Sequence, residues 1–332
     1  MLTFIVRRTV QLIPLVIAIS VIIFGVIQLP PGDYLTTYIQ QLELSGTEVA
    51  EGTVESLRRQ YALDQPPVIQ YFRWVANIVF RGDLGRSFMW QRPVREVIGD
   101  RIGMSMMISL ISIAFSWLIA IPIGIYSATH QYSVPDYIFT FFGFIGIAVP
   151  GFLLALLLVY GIFSMTGVSL TGLFPPEFQG APWSWAKFVS MLPRLWMPVI
   201  VIGAAPMAGL IRVTRGMMLD ELSKQYVITA RAKGVEERRL LLKYPIRMAI
   251  NPLVSTIGWL LPAVISSEII VSVVLNLPTT GPMLLRALLS QDMYLAGSFL
   301  LITSVLTVIG TLLSDILLAI LDPRIRFGGV SE

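Results

Sequence analysis

Residues 226–234 read YVITARAKG, and residues 235–252 continue VEERRLLLKYPIRMAINP. The stretch is a polar, cationic island between two long apolar runs. From Arg212 to Arg247 there are nine Lys/Arg and four Asp/Glu, a net charge of +5. Charge is costly inside a bilayer, so this segment must sit outside one. Residues 220–233 read as a helix in which small side chains (Thr229, Ala230, Ala232) alternate with cations (Arg231, Lys233). Gly234 is a natural helix stop. Glu236 and Glu237 open a second short helix, and Lys243 lies near its end, the polarity that the helix dipole favours. Two short helices with a small-residue shoulder at a membrane surface suit docking of a soluble partner. An ordinary basic cytoplasmic loop is the other reading of the same residues.

The rest of the chain agrees with a membrane setting. Its 332 residues have a mean hydropathy of +0.76 and are only 13% charged, too apolar for a soluble domain of this size. The basic balance, +4 with a pI near 9.4, follows membrane topology and does not indicate nucleic acid. Absence of cysteine excludes disulfides, thiol catalysis and cysteine metal sites. The single histidine, His130, excludes a His-pair metal motif and reads as a surface residue of a short polar loop.

Six apolar segments are long enough to span a bilayer, which takes about 20 residues each. They are residues 9–29, 103–128, 137–163, 196–214, 253–275 and 294–321. The first follows Arg7 and Arg8 and reads as a retained signal anchor, because its apolar run is long and no small-x-small cleavage site follows. With the N-terminus in the cytoplasm, 13 cations fall in cytoplasmic segments and 3 in the two short outer loops. The long outer segment, residues 30–101, carries eight cations offset by nine acids and exceeds the length over which the positive-inside rule counts. Both termini are therefore expected inside.

The expected organisation is all-α. Residues 1–29 form the N-terminus and first span, and 30–102 an external insertion. Residues 103–322 form a five-helix core containing the cytoplasmic loop 216–248, and 323–332 a tail. Within the insertion, residues 70–80 mix Tyr71, Phe72, Trp74 and Phe80 with a single Arg73. That mixture suits a helix lying at the membrane interface, or part of a compact extracellular cap. In the second outer loop, Trp183 and Trp185 either anchor at headgroups or present a face to a docking protein.

The sequence resembles the permease subunits of bacterial ABC importers, closest to the first (B-type) permease of the dipeptide/oligopeptide/nickel branch. Besides YVITARAKG, the resemblance rests on YALDQPP (61–67), QYFRWV (70–75), GDLGRS (82–87) and RPV (92–94). It continues through IPIG (121–124), PGF (150–152), Asp315 and DPRIR (322–326). These blocks cover most of the chain in the family's order. The resemblance implies the type I importer permease fold: six transmembrane helices with cytoplasmic termini. It also implies a multi-pass protein of a bacterial or archaeal cytoplasmic (inner) membrane. The implied partners are a second homologous permease, two ABC ATPase subunits and an extracytoplasmic solute-binding protein. By the same resemblance Tyr226, Thr229, Ala230, Arg231, Ala232, Lys233 and Gly234 form the coupling helix that inserts into a groove on the ATPase. In the wider superfamily a Glu leads this motif; here Ile228 stands in its place, so a Glu-mediated contact is not expected.

No energy source is visible on this chain. The four lysines precede Phe188, Gln225, Gly234 and Tyr244, so the Gly-Lys-Ser/Thr end of a phosphate-binding loop is absent. ATP and Mg are therefore expected on the partner ATPases, with no cofactor here. Prolines and glycines such as Pro122, Gly124, Pro150, Gly151, Pro206 and Pro262 punctuate the spans as kinks, hinges or packing points. Glu268 lies well inside the fifth span, where a carboxylate needs a cavity or a partner. Two roles fit it: lining the translocation path with Ser266, Ser267 and Ser272, or a structural hydrogen bond to a neighbouring helix or the partner permease. In the family the intramembrane acid aligns with Ser272, one turn away. Asp315, near the inner end of the sixth span, reads as a structural residue that caps or pairs near the coupling loop.

An intramembrane enzyme is disfavoured, because Glu268 and Asp315 lie on different helices at different depths and the only His is in a loop. A secondary transporter would show inverted repeats or charged relays, and neither is found. Peptides are the substrate class that the resemblance implies. The PPGDYLTTYIQQ and LNLPTTGP segments depart from the family's common forms and keep oligosaccharides open.

Overall fold

The computed structural model describes residues 2–29 and 65–321. Half of YALDQPP, the DPRIR block, most of the external insertion and the tail lie outside the described residues. Those described form helices, with one isolated bridge between Arg86 and Pro93. In chain order the helices are α1 (Leu2–Gln28), α2 (Pro67–Ala76, running on through a π-helical turn at Asn77–Arg81), α3 (Val94–Thr129) and α4 (Val134–Ala148). Next come α5 (Gly151–Thr166), α6 (Trp185–Leu222), α7 (Gln225–Ala232) and α8 (Glu237–Lys243). The last four are α9 (Pro245–Ser255), α10 (Ile257–Val274), α11 (Thr280–Leu289) and α12 (Met293–Leu321). Four of them contain single stretches long and apolar enough to cross a membrane: Ile5–Gln28, Val94–Thr129, Trp185–Leu222 and Met293–Leu317. The chain falls into two compact units, one of residues 1–8, 104–281 and 309–332, the other of 9–103 and 282–308.

In the first unit α6 is the hub, packed by α4, α5, α9 and α10. Its start is set by Ser184, whose hydroxyl accepts the Lys187 N–H at 3.2 Å. Ser133 caps α4 in the same way, accepting from Asp136 N–H at 3.4 Å, with a proline in the first turn. The core holds Met191, Met197, Ile202 and Leu210 of α6 against Ile108, Leu253 and Leu260, all fully buried or nearly so. Pro193, Pro198 and Pro206 lie inside α6 without interrupting it. Membrane helices tolerate this because neighbouring helices and hydroxyls satisfy the freed backbone groups.

Pro150 behaves differently, and it corrects the expected continuous span 137–163. The chain breaks there, and α4 and α5 meet at 108°. Proline has no N–H to continue the ladder and disfavours the α conformation in the residue before it. Val149 is accordingly extended, at φ −92 and ψ 119. The expected span 253–275 is also divided: α9 ends at Ser255, α10 begins at Ile257, and the stretch Ala263–Val274 is a shorter apolar helix. The expected fourth span, 196–214, is the middle of the longer α6.

Two ion pairs tie helices of this unit together. Arg8 of α1 meets Asp315 of α12 at 3.5 Å, so Asp315 is paired, with the first helix and not with the cationic loop. Asp136, at the start of α4, accepts from Arg215 of α6 at 3.2 Å and from the Tyr132 N–H at 3.0 Å. His130 is exposed and stacks on Tyr126 with centroids 4.6 Å apart. In the first turn of α6 the buried Lys187 ammonium donates to Ala181 O at 2.5 Å. It lies 4.8 Å and 5.6 Å from the Phe174 and Trp183 ring centroids. Trp183 is thus engaged by its own loop on one side while remaining largely exposed.

In the second unit the GDLGRS block forms a clasp on the α11–α12 turn. Asp292, fully buried, accepts from Ser87 Oγ at 2.5 Å and from Met89 N–H at 3.1 Å. Ser298 Oγ closes the other side on Leu84 O at 3.1 Å.

Candidate functional site

The cationic loop folds into a unit with its own small core. The helix expected over 220–233 is two helices: α6 runs to Leu222, a turn follows at Ser223 and Lys224, and α7 begins at Gln225. Glu221 at the end of α6 accepts from Lys224 Nζ at 2.7 Å and from the Tyr226 hydroxyl, which stitches the turn shut. Burial and this acidic neighbour push the Tyr226 phenol up to about 12, so it stays a donor.

The helix stop is built as expected from Gly234. Its φ is +76, and the N–H groups of Gly234 and Val235 donate to Arg231 O and Ala230 O at 3.0 and 3.3 Å. This is the paired bonding of a Schellman end, and it turns the chain into α8. Arg231 then reaches forward to Glu237 with two bonds, at 3.0 and 2.6 Å. The hydrogen bonds from Arg231 hold the Glu237 carboxyl below its usual range.

The small residues separate by side. Ala230 is 8% exposed and packs with the fully buried Val227 and Leu240, flanked by Leu222, Val235 and Tyr244. Its size is therefore dictated by the loop's own core. Thr229, Arg231, Ala232, Lys233 and Gly234 are exposed, and Tyr226 is partly so. The free small-residue shoulder is Thr229 with Ala232, flanked by cations. Sequence reasoning grouped Ala230 with them, because a helix of eight residues shows too little periodicity to separate its faces.

The second candidate cluster surrounds Glu268 on α10. Glu268 is 1% exposed, and Ser272, one turn on, is fully buried. Thr280 N–H donates to Ser105 Oγ at 3.0 Å, the two hydroxyls meet at 2.7 Å, and Ser105 Oγ donates to Glu268 Oε1 at 3.3 Å. Ser272 donates to Ile269 O at 2.9 Å within its own helix. Ser266 is exposed and Ser267 half-buried. The four residues expected together thus divide: Glu268 and Ser272 face inward toward α3 and the start of α11, and Ser266 faces out. Ser105, Thr280 and Gly281 are partners that sequence reading missed: Ser105 lies 163 positions from Glu268, and in LNLPTTGP nothing local says that Thr280 and Gly281 fold back onto α10.

Replacing Glu268 by Ala should lower the melting temperature of the assembled complex. It removes the acceptor of the Ser105 hydroxyl, a change worth about 1–3 kcal/mol when the orphaned group stays buried. Glu268→Gln keeps an acceptor and should cost less. Thermal unfolding in lipid nanodiscs measures both, and an unchanged midpoint for Glu268→Ala would remove the carboxylate from the packing.

Comparison with known proteins places these features in a family. Residues 120–327 match the binding-protein-dependent transport system inner membrane component, and residues 1–110 match the N-terminal model of the same kind of membrane component. The chain is 33% identical over 328 residues to the oligopeptide transport system permease protein AppB of Bacillus subtilis, covering 98% of this chain and 100% of that one. It is 31% identical over 329 residues to a putative peptide permease protein of Brucella ovis, covering 98% and 99%. It is 30% identical over 327 residues to the glutathione transport system permease protein GsiC of Escherichia coli, covering 98% and 100%. End-to-end matches at this level, with both family models side by side along the chain, leave one assignment: the protein belongs to the inner-membrane permease components of binding-protein-dependent ABC transport systems, of the dipeptide/oligopeptide/nickel type, and is a transport subunit rather than an enzyme.

Proposed function

We propose that this permease forms, with a second homologous permease, the membrane path of an ATP-driven importer for small peptides. An extracytoplasmic binding protein delivers the solute, and two ATPase subunits, holding ATP and Mg, supply the energy. The observation that carries the reading is the α7–α8 loop: a self-supporting unit whose exposed Thr229–Ala232 shoulder and cations face away from its core. Stiffness matters here, because a loop that deformed on docking would not pass movement from the ATPase to α6 and α9. The peptide assignment is supported by the names of the relatives, which specify oligopeptide, peptide and glutathione transport.

In this reading the chain spans the membrane six times, with both termini cytoplasmic and residues 30–102 outside. The bent α4–α5 pair and the α9–α10 segment supply the third and fifth spans. The five-helix core covers 103–322 and the coupling loop 216–248. Ser266 and Ser267 face the path, and Glu268 with Ser272 braces its wall from behind.

Single cysteines test the topology cleanly, because the chain has none. A membrane-impermeant thiol reagent applied to intact cells should label Val168→Cys, in the second outer loop, and spare Lys233→Cys. The reverse pattern would overturn the orientation. For the function itself, the complex is reconstituted in vesicles with its ATPases and binding protein. Peptide-loaded binding protein should raise ATP hydrolysis and drive peptide accumulation; hydrolysis that is indifferent to the loaded protein would refute the importer reading.

A further inference from the structure

Helix α2 packs along one face of α1. Ser20, Phe24 and Gln28 lie at i, i+4 and i+8, so they form a single stripe on that helix. The Ser20 and Tyr71 hydroxyls meet at 2.8 Å, and Gln28 Nε2 donates to Gln70 Oε1 at 3.1 Å. Phe24 sits between the Tyr71 and Trp74 rings, with centroids 5.5 and 5.9 Å away. From Ser20 to Gln28 the helix rises about 12 Å at its regular pitch. Residues 5–28 are long and apolar enough to cross a membrane, so this stripe runs along the final nine residues of the span.

The opposite face of α2 and its π-turn is apolar and open. Val68, Ile69, Phe72, Val79 and Phe80 are 65%, 50%, 64%, 68% and 85% exposed. Arg73 and Arg81 are exposed at the flank of this surface. A water-facing helix with five large apolar groups on its outer side would be an aggregation hazard. At the depth set by Ser20 and Gln28, the same side chains meet acyl chains, and the two guanidinium groups can reach phosphates by extending along their stems.

We infer that α2 with its π-turn is a phospholipid-contact surface. It lies in the bilayer interface against the end of α1, with Phe72 and Phe80 in the acyl region and Arg73 and Arg81 on lipid phosphates. The inference rests on the reading of α1 as a membrane span, and the controls separate the two.

The test uses spin labels on single cysteines in the assembled complex, reconstituted in phosphatidylethanolamine/phosphatidylglycerol vesicles. Labels are placed at Phe72→Cys and Phe80→Cys, with Val26→Cys on the exposed side of α1 as the lipid control and Val168→Cys, after the end of α5, as the aqueous one. Collision with oxygen reports the acyl phase, and collision with a water-soluble nickel chelate reports the aqueous phase. The expected result is that labels at 72, 80 and 26 collide several-fold more with oxygen than with nickel, and the label at 168 the reverse. Nickel access at 72 and 80 with oxygen access at 26 overturns the lipid surface and leaves the span intact. Protection from both reagents at 72 and 80 means that a protein partner covers α2, and this also overturns it. Nickel access at 26 overturns the span and the inference with it.

Discussion

Gly234→Val is expected to abolish the stimulation of ATP hydrolysis by peptide-loaded binding protein, while the chain still inserts and pairs with the second permease. Gly234 sits at φ +76 with no atom within 4 Å of where a Cβ would be. The penalty therefore comes from backbone conformation alone. An ordinary L-residue in the left-handed region costs about 1–2 kcal/mol, and a β-branched one is worse. The loop can relieve that strain by abandoning its Schellman end, which would swing α8 away from α7 and open the core of Val227, Ala230 and Leu240. Gly234→Asn is the matched control, since asparagine tolerates this region, and it should keep most of the stimulation. Ala232→Trp tests docking separately. Ala232 is exposed, so the bulky ring leaves the loop folded but obstructs a partner groove, and ATPase copurification should fall sharply. Ala230→Trp is not equivalent: Ala230 lies inside the loop, and overpacking would unfold it whatever the partner. If Gly234→Val and Ala232→Trp both give wild-type copurification and stimulation, the loop has no coupling role.

Gly281→Ala is expected to be among the most destabilising single-methyl changes available in this chain. A Cβ there would lie 2.1 Å from Ser272 Oγ and 2.3 Å from Ile269 O. The hydroxyl can rotate away, but the carbonyl belongs to the backbone of α10. The first turn of α11 would have to lift off α10, carrying Thr280 and its bonds to Ser105 with it. Overpacking of this kind costs about 1–3 kcal/mol, and the loss of the Ser105–Thr280 bonds adds to it. The complex should show a clearly lower melting temperature and a reduced yield. Ser272→Ala in the same chain should recover only part of the loss, because Ile269 O remains in the way. Full recovery would mean that the hydroxyl alone is the obstacle, and no loss in the single variant would mean that α11 is free to move off α10.

Much of this architecture was readable along the chain. Long apolar runs separated by cations announce helices in a membrane. The stop at Gly234 and the start of α8 at Glu237 follow from one glycine, two glutamates and a lysine at the right offsets, whereas the turn at Ser223 and Lys224 that separates α7 from α6 does not. Other features were visible only as anomalies. Glu268 stood out because a carboxylate in an apolar run demands a partner, but the run itself does not contain that partner. GDLGRS was legible as a pattern without a reason; the reason is Asp292, some two hundred positions later, which binds Ser87 and Met89 from inside the protein.

Hydropathy, the placing of cations and the order of motifs specify a helical membrane protein of the ABC permease family, with a charged loop turned at a left-handed glycine. Hydropathy, charge and helix-stop chemistry are properties of a residue and its near neighbours, so one dimension suffices to read them. Packing in three dimensions sets which proline breaks its helix, Pro150 but not Pro193, Pro198 or Pro206. It also decides that Ala230 faces inward and Ala232 outward, that Glu268 is bonded to Ser105, and that α2 lies against Ser20 and Gln28. Each depends on which surface approaches from a distant part of the chain, and burial and hydrogen-bond partnership exist only once that surface is in place.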